Sequence, residues 1–113
     1  MAPLEVVAEP REGGAREVFR RGLAALRQRR FDDAVRDLTE ASRLSTQPVI
    51  FVNLGLACRE LGRYREAIAA FERYAVAPEP ETSPGQRVAL REEIARLRAQ
   101  LEKVTHVARP VAA

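Results

Sequence analysis

Apolar residues recur along the first half of the chain with the period of an α-helix. Val18, Phe19, Leu23 and Leu26 are separated by one, four and three positions, which is typical of one face of an amphipathic helix. Residues 31–44 continue in the same way, with an apolar stripe formed by Phe31, Ala34, Val35, Leu38, Ala41 and Leu44. The pattern predicts two helices that are joined by a short turn.

A second pair of helices is predicted between residues 48 and 76. Pro48 opens the segment PVIFVNLGLACREL, and proline is tolerated in the first turn of a helix, where its missing N–H has no partner. Gly62 follows this segment and is predicted to cap the helix with a positive φ. The fourth helix, YREAIAAFERYAV, is expected to end before the prolines of APEPETSP.

The last periodic segment covers residues 84–104. Ser83 is predicted to cap its N-terminus, with Pro84 in the first turn. Its apolar seam is narrow and consists of Leu90, Ile94, Leu97, Leu101 and Val104. One narrow seam does not offset the cost of ordering a helix of this length, so we expect it to dock on another surface. Residues 1–14 and 106–113 are expected to be a flexible leader and a flexible tail.

The two helix pairs are similar in sequence. Residues 62–74 read GRYREAIAAFERY, and residues 29–41, which lie 33 positions earlier, read RRFDDAVRDLTEA. The same offset pairs Gly22 with Gly55. A repeated helix pair of this period is typical of a solenoid, in which each unit buries its apolar face against its neighbour.

The second unit resembles a tetratricopeptide repeat in the segment FVNLGLACRELGRYREAIAAFERYAVAP. The residues at the family's typical positions are Phe51, Leu54, Gly55, Cys58, Ala67, Phe71 and Pro78. The resemblance implies an all-α solenoid of five helices, with repeats at 15–47 and 48–78 and a capping helix at 84–104, in one domain that covers 15–105. The chain is also similar to small bacterial tetratricopeptide proteins that are rich in Arg and Ala.

Composition agrees with one all-α domain and provides little support for nucleic-acid binding. The chain has 113 residues, of which 46% are hydrophobic and only 5% aromatic. Its net charge is +3, and its densest basic cluster, RQRR at 27–30, lies at a predicted helix C-terminus, where cations are favoured. No aromatic residues are interleaved with that cluster, so nucleic acid is disfavoured as a partner.

The sequence contains few residues that could carry catalysis. His106 is the only histidine and falls in the predicted tail, while Cys58 is the only cysteine and falls on a packed helix face. Asp32 and Asp33 follow a predicted turn, where acidic residues favour a helix N-terminus. We therefore predict a protein that is not an enzyme and that has no cofactor or metal site.

The N-terminal sequence, MAPLEVVAEPREGG, does not have the pattern of a secretory signal. The longest apolar stretch, at 48–58, is about half of the ~20 residues that a membrane-spanning helix needs. These features predict no membrane insertion and a cytoplasmic location, or a periplasmic one if a signal peptide has been removed.

The resemblance also implies a function, because the first helix of each tetratricopeptide pair lines a groove that holds an extended or helical peptide. The corresponding residues are Arg16, Phe19, Arg20, Leu23, Leu26, Arg27, Val49, Val52, Asn53, Leu56, Arg59 and Glu60. Asn53 occupies the position of an amide that resembles a clamp on the peptide backbone. Four arginines opposed by Glu60 alone predict a protein partner with apolar anchors and acidic flanks.

An alternative role uses the same apolar residues differently. Phe19, Leu23, Val52 and Leu56 could be covered by the C-terminal helix or by a second copy of the chain. The sequence then predicts a structural module that forms homo-oligomers, such as a homodimer, through the groove or through the seam of the last helix.

Overall fold

The computed structural model describes residues 9–10, 13–77 and 82–108, with side chains as far as Lys103. These residues form five helices and no strand, as the sequence predicts. The helices are α1 (Gly13–Arg27), α2 (Phe31–Leu44), α3 (Pro48–Glu60), α4 (Tyr64–Ala75) and α5 (Pro84–Ala108). Consecutive helices pack against each other, and α1 also contacts α3, which is the arrangement of a helical solenoid.

The ends of the helices follow the predicted capping residues. Pro48 lies in the first turn of α3, and Gly62 has a φ of 75° just after α3. The hydroxyl of Ser83 accepts a hydrogen bond from the backbone N–H of Gln86, so it caps α5. Two boundaries differ from the prediction, since α1 begins at Gly13 rather than in the segment after residue 14, and α5 continues to Ala108.

The turns within the two repeats have the same geometry. Arg29 has a φ of 62°, and Gly62, which lies 33 positions later, has a φ of 75°. In each turn the next residue donates its backbone N–H to a carbonyl five residues earlier, Arg30 to Ala25 and Arg63 to Cys58. The duplication in sequence is therefore also a duplication of backbone conformation.

Substitution of Gly62 by alanine is expected to lower the free energy of unfolding by about 1–2 kcal/mol, because an L-residue is strained at positive φ. No heavy atom lies within 4 Å of an added Cβ at this position, so the backbone conformation alone carries the effect. Gly13→Ala, which also meets no neighbour and has no positive φ, is the control. Urea denaturation of both variants checks the prediction, and equal midpoints would contradict it.

Each repeat packs its two helices around a glycine. A Cβ added to Gly22 would lie 2.7 Å from Cγ of Leu38, and a Cβ added to Gly55 would lie within 3.0 Å of three atoms of the Phe71 ring. Leu38 and Phe71 are themselves fully buried. The two glycines therefore set how closely α1 approaches α2 and how closely α3 approaches α4.

The core consists of two adjoining clusters of buried side chains. One lies between α1, α2 and α3 and contains Phe19, Leu38 and Ile50. The other lies between α3, α4 and α5 and contains Val52 and Phe71. The helix α3 contributes to both, and nearly all of its residues from Pro48 to Cys58 are buried. Leu44, the last residue of the apolar stripe of α2, is 46% exposed and does not belong to either cluster.

The C-terminal helix docks through the predicted seam. Leu90, Ile94 and Leu97 are buried in the cluster shared with α3 and α4, and Leu101 packs at its edge, whereas the side chain of Val104 lies outside the described residues. Polar contacts support the docking, because Arg98 pairs with Glu72 of α4 at 3.3 Å and the backbone N–H of Ser83 donates to the hydroxyl of Tyr74. The seam is thus occupied within the chain.

Candidate partner-binding surface

The predicted groove residues come from α1 and α3, which are neighbours in the fold. Their apolar members do not form an open floor. They are buried or, for Leu26, partly buried, and comprise Phe19, Leu23, Leu26, Val49, Val52 and Leu56. Val52 and Leu56 belong to the same buried cluster as Phe71 of α4 and Leu97 of α5, so this part of the predicted groove is packed within the chain. Phe19 and Leu23 pack in the other cluster, between α1, α2 and α3, so the alternative that the C-terminal helix or a second copy covers all of these residues stays a prediction.

Asn53 lies inside the fold rather than on a surface. Its side chain is fully buried, and its Nδ2 donates a hydrogen bond of 2.9 Å to the backbone carbonyl of Val49, one turn earlier in α3. This bond supports the helix from within. A clamp from Asn53 onto the backbone of a partner would require the surrounding side chains to move.

The charged members of the predicted groove are accessible, in contrast to the apolar ones. We call Arg16, Arg20 and Arg27 of α1 together with Arg59 of α3 the arginine edge. The three residues on α1 are exposed, and Arg59 is partly buried. Arg59 pairs with Glu60 at 3.1 Å and with Glu93 of α5 at 3.5 Å, so its charge is largely satisfied within the chain. The accessible positive charge of the edge is therefore concentrated on α1.

The α1 part of the arginine edge already holds a carboxylate. Both carboxylate oxygens of Glu9 accept hydrogen bonds from Arg20, at 2.7 and 2.9 Å, and Nε of Arg16 lies 3.9 Å from Glu9. The same Nε donates to the carbonyl oxygen of Pro10 at 3.3 Å, and the side chain of Pro10 is fully buried. Two residues of the predicted leader thus pack on α1.

The contact with Glu9 has an electrostatic consequence. The hydrogen bond from Arg20, together with the charges of Arg20 and Arg16, holds the pKa of the Glu9 carboxyl below its ordinary value, although partial desolvation acts in the opposite direction. Because the contact with Arg20 lowers the pKa of this carboxyl, the contact is favoured at pH values above the carboxyl's ordinary pKa. The favourable contribution is lost as the pH falls through the lowered value. At neutral pH the Glu9 carboxyl is therefore ionised and can accept both hydrogen bonds from Arg20.

The structure corrects the expected charge balance of the groove. Glu60 is not the only acidic residue opposing the arginines, because Glu9 pairs with Arg20 and Glu93 pairs with Arg59. Sequence reasoning missed Glu9 because it lies in a segment without periodicity. The sequence did contain one signal, the short distance along the chain between Glu9 and the start of α1. An acidic residue just before a helix can reach the basic residues of its first turns.

The order of the helices, the equivalent turns and the glycine contacts all describe one helix pair used twice. A sequence model of the tetratricopeptide repeat matches residues 19–84, which is more than half of the chain. The chain belongs to the tetratricopeptide repeat family. Tetratricopeptide repeats generally mediate contacts between proteins and are typically not enzymes. Comparisons with curated proteins and with solved structures find no match.

The tetratricopeptide solenoid has a second surface feature that sequence reasoning missed. A cleft of about 250 Å³ lies between the end of α4 and the middle of α5, and is lined by Glu72, Ala75, Val76, Arg91, Ile94 and Arg98. Val76, at the C-cap of α4, is 80% exposed. In a solenoid, the helix of a further repeat would pack at such an open end. The periodicity of α5 did not reveal the cleft, since it forms only when α5 docks on α4.

The residues considered for catalysis lie in structural positions. Cys58 is buried, and desolvation, with a smaller effect of the charge on Glu66, raises the pKa of its thiol to about 11. The thiol is therefore protonated at neutral pH and is a poor nucleophile. Asp33, at the start of α2, pairs with Arg30 and Arg36. His106 falls in the last turns of α5, and its side chain lies outside the described residues.

The basic cluster at 27–30 is engaged in local contacts. The guanidinium of Arg29 lies over the ring of Phe31, 5.5 Å from its centroid, and Arg30 pairs with Asp33. Such contacts support the turn between α1 and α2. None of the helices in the described part of the chain is long and apolar enough to cross a bilayer.

Proposed function

We propose that this tetratricopeptide protein is an interaction module that binds an acidic segment of a partner protein on the arginine edge of α1 and α3. The observation that carries the proposal is the bidentate contact of Arg20 with a carboxylate, at 2.7 and 2.9 Å, on the exposed face of α1. Planar guanidinium groups recognise carboxylates in this fork geometry. The family membership supports a protein as the partner.

The burial of the apolar groove residues changes which contacts contribute to the affinity for a partner. Leu56 and Val52 pack in the chain's own core, so they offer a partner little apolar area unless α5 moves. A partly exposed apolar surface is provided instead by Leu26, which is half-buried beside the α1 arginines and which we call the rim of the edge. Charge-assisted hydrogen bonds from α1 therefore provide most of the selectivity in this proposal, and apolar anchors of the partner contribute at the rim.

Reversal of charge on α1 tests the proposal. Arg16→Glu combined with Arg20→Glu in the full chain is expected to reduce capture of a native partner by about tenfold or more, because attraction to acidic residues becomes repulsion. Raising the salt concentration to about 0.5 M should weaken capture by the unmodified chain as well. The measurement is quantitative mass spectrometry of proteins retained from an extract of the source organism.

The control is Arg65→Glu, which reverses the charge of an exposed arginine on α4, away from the arginine edge. It should retain the partner as well as the unmodified chain does. Circular dichroism establishes that the variants remain helical. Equal retention of the same protein by all three chains would place the binding surface elsewhere.

A further inference from the structure

The residues that hold Glu9 are themselves part of the proposed binding surface. Arg16 and Arg20 were both predicted from the sequence to contact a partner. In the structure Arg20 contacts Glu9, and Arg16 contacts the carbonyl oxygen of Pro10 and lies 3.9 Å from Glu9. We propose that Glu9 and Pro10 together are an internal ligand of the arginine edge, which a partner must displace. The inference rests on the proposed function and concerns the regulation of the same surface.

The contacts of Glu9 and Pro10 have the features of a recognised ligand. The carboxylate is held by two parallel hydrogen bonds, the following backbone carbonyl accepts a third from Arg16, and the proline ring is fully buried. These are one charged anchor, one backbone contact and one apolar anchor, within two residues. A solvent-exposed ion pair alone contributes little, so the combination is what makes the contact specific.

The short connection to α1 strengthens the competition. Only residues 11 and 12 separate Pro10 from the first residue of α1. A ligand tethered by so short a linker has an effective concentration on the order of millimolar or higher. A free peptide with the same contacts therefore binds weakly to the intact chain, and more tightly once the tethered carboxylate is removed.

The sequence before Pro10 also has the chemistry predicted for a partner. In MAPLEVVAEP the apolar residues Val6 and Val7 lie between the acidic residues Glu5 and Glu9. Apolar anchors with acidic flanks are what the arginine edge and its rim are suited to bind. The partner class that follows is a segment with a carboxylate directly before a proline, next to a short apolar stretch.

The test uses the full chain and a fluorescent peptide of the sequence MAPLEVVAEP as the probe. Glu9→Gln removes the tethered charge without changing the size of the side chain. Fluorescence anisotropy is expected to show that the peptide binds this variant about threefold to tenfold more tightly than the unmodified chain. Glu102→Gln, which neutralises an exposed glutamate on α5, should bind the peptide like the unmodified chain.

Reversal of the charge at Arg20 tests whether this residue holds the peptide. Arg20→Glu should bind the peptide more weakly than Glu9→Gln does, because the peptide carries Glu at the same position. Equal affinity of Glu9→Gln and of the unmodified chain for the peptide would overturn the proposal of an internal ligand. In that case a loss of partner capture by the chain with Arg16→Glu and Arg20→Glu would still support the proposed function. Absence of peptide binding to every variant at millimolar concentration would also overturn the internal ligand, without bearing on partner capture.

Discussion

Substitution of Leu90 by alanine is expected to lower the free energy of unfolding by about 2–5 kcal/mol, as for other fully buried leucines. Leu90 is 0% exposed and packs with Ile94, Leu97 and Tyr74 between α5 and the second repeat. Two repeats are fewer than the ~3 that usually make a solenoid stable, so α5 provides the apolar surface that a third repeat would otherwise supply. Chemical denaturation followed by circular dichroism measures the effect.

The matched control is Val88→Ala on the same helix. Val88 is 52% exposed, and removing part of its side chain should change the free energy of unfolding by less than about 1 kcal/mol. Deleting the chain after residue 83 should cost several kcal/mol, since it exposes the face of α4 that α5 covers. If Leu90→Ala and Val88→Ala unfolded at the same midpoint, α5 would not be part of the cooperative fold.

Substitution of Gly55 by alanine is expected to destabilise the protein by about 1–3 kcal/mol, although alanine is normally the better residue inside a helix. The added methyl group would overlap three atoms of the Phe71 ring, and Phe71 is fully buried and cannot move aside without disturbing the core. Gly55→Leu should be worse, because more atoms must be accommodated in the same space.

Gly85→Ala provides the control, because a Cβ at Gly85 in the first turn of α5 would meet no heavy atom within 4 Å. This substitution should leave the stability unchanged or raise it by up to about 1 kcal/mol. The two alanine substitutions therefore have opposite expected signs. A stabilising Gly55→Ala would show that α3 and α4 do not pack as closely as the structure has them.

Features determined by nearby residues were well predicted from the sequence. Helical periodicity identified all five helices, and the capping roles of Gly62 and Ser83 followed from their positions next to an apolar stripe. The offset of 33 residues between the repeats paired Gly22 with Gly55, and the structure places both at close contacts between helices. These features depend on local geometry, which a single sequence displays directly.

The sequence did not predict which helix packs over each apolar face. The apolar stripes of α1 and α3 show that Phe19 and Val52 need a partner surface, but periodicity is the same whether that surface is a foreign peptide or another helix of the chain. Leu44 continues the stripe of α2 and yet is exposed, because it lies in the last turn of that helix. The contacts of Glu9 and Pro10 have no period at all, and only the fold brings them to α1.

Several expectations from the sequence stay untested predictions. Homodimer formation through the groove or the α5 seam is one, although Leu90, Ile94 and Leu97 of the seam are buried within the chain. The cellular location and the identity of the partner are others. Pro78 of the second repeat and the tail from residue 109 onward lie outside the described residues.

Nuclear magnetic resonance can show residue by residue whether an acidic segment binds the arginine edge on α1. The ¹⁵N-labelled Glu9→Gln chain is titrated with the peptide MAPLEVVAEP, and the Nε–H signals of the arginines are followed with the backbone amides. Binding of the peptide at the arginine edge should give saturable shifts at Arg16 and Arg20 that disappear at about 0.5 M salt. Shifts that are largest at Val76 and Arg91, in the cleft between α4 and α5, with none at Arg16 and Arg20, would contradict it.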